Sequence, residues 1–175
     1  MVMIYMGGHV SGAHYNPAIS IAILLRGKMD AKDLGPYIVA QLLGAIAGAA
    51  LVKTFTGDTL TVAPGEDASV LAILLAEVLF TFALALVILN VATSKKTEGN
   101  SYYGLAIGFT VTAGAVAVGG ISGGAFNPAV GIGPILIDGT MGDGGFGNLW
   151  YYLVGPIVGA CLATAVFSFQ EGSDS

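Results

Sequence analysis

The sequence predicts an all-α membrane protein: a helical bundle built from an inverted repeat, with two re-entrant half-helices that enter the bilayer without crossing it. Three observations carry this. The 175 residues are 55 % hydrophobic and 10 % charged, with mean hydropathy +0.82, whereas soluble domains are roughly one-quarter charged. Apolar stretches recur at the length a bilayer requires. The tripeptide Asn-Pro-Ala occurs twice, at 16–18 and 127–129.

A spanning helix needs about 20 apolar residues. Leu34–Phe55, Val70–Ala92 and Leu149–Phe169 meet this, and Tyr102–Gly119 is a shorter, Gly- and Ala-rich fourth span. Runs of this length are too long for strands. Two further apolar stretches are too short to cross. One follows Asn16-Pro17-Ala18 and runs to Arg26; the other follows Asn127-Pro128-Ala129 and runs to Asp138, where Gly139 is expected to end it. Proline suits the first helical turn, where its absent N–H has no partner to lose, and Asn suits the N-cap. Both motifs therefore start half-helices. The segments before them, Gly8–Tyr15 and Gly120–Phe126, read as irregular backbone lining a cavity with carbonyls.

Charge gives the orientation. Arg26, Lys28 and Lys32 share one loop, and Lys95 and Lys96 another, whereas 57–69 and 138–148 hold acidic residues and no Lys or Arg. The positive-inside rule places the basic loops in the cytoplasm. The half-helices then enter from opposite faces. The internal repeat agrees. Ser11-Gly12-Ala13-His14-Tyr15-Asn16-Pro17-Ala18 aligns with 122–129 at a spacing of 111 residues, from 16 to 127, and Tyr37 aligns with Tyr152 at a spacing of 115. Repeats of opposite topology with broken helices meeting at midplane are a transport architecture. The expected organisation is one domain over 1–175, with 1–69 an incomplete first repeat plus connecting loop and 70–175 the second repeat.

Several function classes find no support. A net charge of −5 with six basic residues offers nothing to nucleic acid. Cys161 stands alone, so it forms neither an internal disulfide nor a cysteine metal cluster. No metal or cofactor is implied, and no nucleophile–base set or phosphate loop points to an enzyme. Coupled transporters place several charges within the membrane; here the spans offer Glu77. Tyr102, Tyr103, Trp150, Tyr151 and Tyr152 at helix starts read as an interfacial belt.

SGAHYNPA at 11–18, Glu77 in AEVLFTFAL, GLAIGFTVTAG at 104–114, GGAFNPA at 123–129 and YLVGPIVGA at 152–160 resemble the aquaporin and glycerol-facilitator family over nearly the whole chain. The resemblance implies a right-handed bundle of six spanning helices and two half-helices, of which the first span and most of the second are absent here. The chain is thus expected to be an incomplete version of a longer parent, unable alone to form a sealed pore. The resemblance further implies a multi-pass protein of the cell membrane, forming homotetramers and conducting water or small neutral solutes such as glycerol or urea. The alternative is a structural or non-conducting membrane protein of the same fold.

Site roles follow from the same resemblance. Asn16 and Asn127 present amide NH₂ groups to a passing water, and the positive half-helix ends repel cations. Glu77 holds a re-entrant loop. His14 lies at the cytoplasmic side of the pore, with Gly123 and Ala125 as pore-lining or loop-supporting positions. The filter positions are Ala115, Gly124 and Val130. Most family members carry Arg where Val130 stands, so these three small or apolar residues imply a wider outer mouth.

Overall fold

The computed structural model describes residues 1–172; the last three residues of the expected 1–175 domain lie outside the described residues. Its elements are α1 (Val2–Ser11), α2 (Pro17–Leu25), α3 (Ala31–Thr56), α4 (Val70–Thr93), a short 3₁₀ turn at Lys95–Thr97, α5 (Tyr103–Ser122), α6 (Pro128–Met141) and α7 (Leu149–Glu171). Helices α3, α4, α5 and α7, of 20 to 26 residues, are long and apolar enough to span. At about 1.5 Å per residue each reaches at least the ~30 Å of a hydrocarbon core. Helix α2, with 9 residues, cannot span, and neither can α6 with 14.

Two expectations about boundaries are corrected. Gly8–Ser11 and Gly120–Ser122 are helical, as the ends of α1 and α5. Glycine's low helix propensity is a penalty measured in water. Within a membrane, an unpaired peptide group costs more than that penalty, so the helix continues. Likewise Gly139 does not end α6, which runs on to Met141.

Packing exchanges the repeats. Helix α2 of the first repeat lies against α7 of the second, and α6 of the second lies against α3 of the first. The main core gathers Ala18, Ile19 and Ala22 of α2, Ala85 and Leu89 of α4, and Ala160 and Phe167 of α7. Helix α4 packs along α7 and α5. The outward faces carry exposed Leu43, Phe55, Phe109, Val116 and Phe169, as lipid contact requires.

The acidic end is tied together by Asp138. Its buried carboxylate accepts from the Thr59 hydroxyl and, at 3.2 Å, from that of Thr61. Gly65 N–H then donates to the carbonyl of Ile121 at 3.1 Å. The 57–69 loop is thereby held against the outer end of α5.

Candidate pore and its two half-helix motifs

Each motif asparagine caps its own helix. Asn16 and Asn127 are extended, at φ −155° and −160°, and their Oδ1 atoms accept from Ala18 N at 3.0 Å and Ala129 N at 2.9 Å. Pro17 and Pro128 occupy the first helical turn. The amide nitrogens reach across the repeat: Asn16 Nδ2 donates to Phe126 O at 2.9 Å, and Asn127 Nδ2 to Tyr15 O at 2.8 Å. The half-helices are thus joined near their N-termini. An asparagine amide has two hydrogens. One of each is used in these cross-repeat bonds, which refines the expectation of freely available NH₂ groups. One hydrogen per asparagine remains to donate.

The loops leading into the motifs are short and left-handed. Helices α1 and α5 end at Gly12 and Gly123, at φ 78° and 89°, and Ala13, Tyr15 and Phe126 then take φ near +50°. Such backbone costs of order 1–3 kcal/mol per non-glycine residue and persists only where the surroundings hold it. In the second loop, Glu77 holds it. This fully buried carboxylate accepts from Ser122 Oγ at 2.8 Å, Ala125 N at 3.1 Å and Phe126 N at 2.7 Å.

A tyrosine secures each loop as well. Tyr152 Oη donates to Ser122 O at 2.6 Å, and Tyr37 Oη to Ser11 O at 2.8 Å. Tyr152 is fully buried, so its placement in an interfacial belt is corrected: its hydroxyl supports the loop. The signal was already in the repeat alignment, which pairs Tyr37 with Tyr152 and Ser11 with Ser122.

His14 is half-buried beneath the first motif. Its Nδ1 lies 3.1 Å from Ser20 Oγ, its N–H donates to Tyr37 Oη at 3.2 Å, and its ring packs on Tyr37 at 4.8 Å. It faces a cavity of 680 Å³ at the basic end, shared with Gly8, His9, Lys28, Lys95 and Asn100. The basic loops therefore meet at one mouth. At the other end, Gly124 lies against Ala115. Val130, on the first turn of α6, is 44 % exposed. Ala125 is buried against Ile135 and Tyr152, and Gly123 lies beside the Ala63 carbonyl.

The family model for Major intrinsic protein matches residues 1–167. The chain belongs to the major intrinsic protein family. Among curated members, it is 37 % identical over 162 residues to aquaporin NIP1-1 of Zea mays, covering 91 % of this chain and 55 % of that protein. It is 36 % identical over 179 residues to a probable aquaporin NIP-type of Nicotiana alata, covering 99 % and 63 %. A glycerol uptake facilitator protein-like 6 of Lactiplantibacillus plantarum is 38 % identical over 168 residues, covering 93 % and 76 %. The aquaglyceroporin from Plasmodium falciparum superposes with TM-score 0.82 at 25 % identity, over 94 % of this chain and 75 % of that one. The chain spans little more than half the length of the plant relatives. As a family member with four spanning helices, it is an integral multi-pass membrane protein.

Proposed function

We propose that this protein is a passive transmembrane channel for water and small neutral solutes. The observation that carries the reading is the crossed pair of asparagine amides at the tips of two opposed half-helices. Each tip bears about half a positive charge from aligned peptide dipoles. One remaining N–H on each of Asn16 and Asn127 donates to a water oxygen at the centre. That water directs its hydrogens away along the pore, and its neighbours cannot pass it a proton. The same positive tips raise the energy of hydronium and metal cations. In this reading Glu77, Tyr152 and Tyr37 hold the two loops, and His14 stands at the basic mouth.

The outer mouth sets the solute. With Ala115, Gly124 and Val130 in place of bulk and a guanidinium, it accommodates polyols and amides of glycerol and urea size. Osmotic swelling of proteoliposomes tests this. Val130→Arg is expected to lower glycerol permeability about tenfold and water permeability by less, because a cation in a dry constriction both narrows it and orders what passes. Equal reductions would remove Val130 from the filter. Homotetramer assembly in the cell membrane belongs to the same proposal. A second reading, a non-conducting membrane protein of this fold, is favoured by one observation: Tyr15, beside the first motif, is 41 % exposed. No swelling above empty liposomes would select it.

A further inference from the structure

Beneath the first motif, the Ser20 hydroxyl ties α2 to α3 and to the first loop. Ser20 is fully buried. Gln41 Nε2 of α3 donates to its Oγ at 2.9 Å, His14 Nδ1 lies 3.1 Å from it, and Asn16 O accepts from it at 3.3 Å. A hydroxyl has one hydrogen and two lone pairs. The hydrogen goes to Asn16 O, four residues earlier, the usual back-bond of a helical serine. One lone pair takes the Gln41 amide and the other is left for the ring, so Nδ1 carries a hydrogen. Turning the Gln41 amide over gives the same result. Its Oε1, buried and otherwise without a partner, would take the serine hydrogen, and Ser20 would again only accept from the ring.

The ring's other nitrogen has the opposite surroundings. Nε2 makes no hydrogen bond among the described residues and is not sealed off, because His14 lines the cavity at the basic mouth. Gly12 keeps its approach clear: a Cβ there would stand 3.2 Å from Nε2. Tyr37 fixes the orientation, with its ring 4.8 Å from the imidazole and its hydroxyl accepting from His14 N–H at 3.2 Å.

We infer that Ser20 and Gln41 are positioning residues that hold His14 as its Nδ1–H tautomer, so that bare Nε2 offers a passing solute a hydrogen-bond acceptor. This rests on the channel reading above and adds a specificity residue to it. At the centre, the remaining Asn16 and Asn127 hydrogens require a solute to accept. At the basic mouth, Nε2 requires it to donate. Polyols and urea-like amides do both. A solute that only accepts, such as dimethyl sulfoxide, is matched at the centre and meets a lone pair at the mouth.

Two measurements test this. Solid-state NMR of the full chain in lipid bilayers, with isotope-labelled histidine nitrogens, reads the tautomer at about pH 8, above the ordinary imidazole range. His9→Gln separates the signals of the two histidines. His14 should show a protonated Nδ1 and an unprotonated Nε2; the reverse, or a mixture, would overturn the inference and leave the channel reading intact. Ser20→Ala should release the ring into a mixture, and Ser20→Thr, which keeps the hydroxyl, should restore the single tautomer. Proteoliposome swelling then compares urea with dimethyl sulfoxide, molecules of equal heavy-atom count, each corrected for empty liposomes. Ser20→Ala is expected to reduce the preference for urea about fivefold, the worth of one hydrogen bond, and Ser20→Thr to return it. A preference unchanged in Ser20→Ala, or not returned by Ser20→Thr, would overturn the role of Nε2. Swelling no faster than empty liposomes would overturn the channel reading and the solute role with it, while NMR would still decide the tautomer.

Discussion

Phe126 and Tyr15 occupy the same place in the two repeats, at φ 50° and 49°. Phe126 is sealed between α4 and α5, whereas Tyr15 is 41 % exposed. Yet the loops around them have the same shape. Each leaves its helix through a left-handed glycine, carries an Asn N-cap, is bound by a tyrosine hydroxyl at the preceding serine carbonyl, and donates its amide across to the other. The comparison separates what shapes the loop from what secures it. Local capping and the tyrosine suffice for shape. The carboxylate and the packed ring add stability in the second repeat only.

The largest expected effect tests that separation. Glu77→Ala leaves Ser122 Oγ, Ala125 N and Phe126 N buried with no acceptor, each costing about 1–3 kcal/mol. A loss of about 4 kcal/mol is expected, read from denaturant unfolding in mixed micelles through Trp150, the single tryptophan. A loss below about 1 kcal/mol would mean that the second loop holds itself as the first does, and the comparison would collapse. Glu77→Gln should fall between, since its amide keeps one acceptor but turns a donor toward donors.

Next are the cross-repeat asparagines. Asn16→Ala and Asn127→Ala each remove a cap worth about 1 kcal/mol and orphan a carbonyl of the opposite loop. About 2 kcal/mol is expected for each, with Asn16 the larger because it is 4 % exposed. The same unfolding titration reads the order. If Asn127→Ala costs more, the second half-helix depends on the cross-bond more than burial suggests.

How much of this was legible follows from where each signal lies in the chain. The spans, the half-helices and their caps are local patterns of length, Pro17, Pro128, Asn16 and Asn127, and the sequence holds them outright. The repeat alignment held the Tyr37–Tyr152 equivalence, but Tyr152 at a helix start read as interfacial because hydropathy ignores which face of α7 meets α6 and the second loop. The amide bonds from Asn16 to Phe126 O and from Asn127 to Tyr15 O join residues more than a hundred apart. No periodicity encodes such a pairing. Helix across Gly8–Ser11 was hidden for a different reason: propensity scales describe water, and this backbone is not in water. The Asp138 clasp to Thr59 and Thr61 left no pattern at all, since both threonines sit in a loop of unremarkable composition.

The smallest expected difference is the most informative about the first loop. Tyr152→Phe and Tyr37→Phe delete the same bond, to Ser122 O and to Ser11 O. Tyr152 is fully buried, so no water replaces its hydroxyl and Ser122 O loses a donor outright; about 1.5 kcal/mol is expected. Tyr37 sits beside exposed Ser11, where water can substitute, and about 0.5 kcal/mol is expected despite the added loss of an acceptor for His14 N–H. Amide hydrogen exchange at His14 reads that second contact directly, and should quicken in Tyr37→Phe while Ala125, held by Glu77 in both proteins, stays slow. If the two costs are equal, the first loop is already dry, and the asymmetry between the repeats lies in the Tyr15 ring alone.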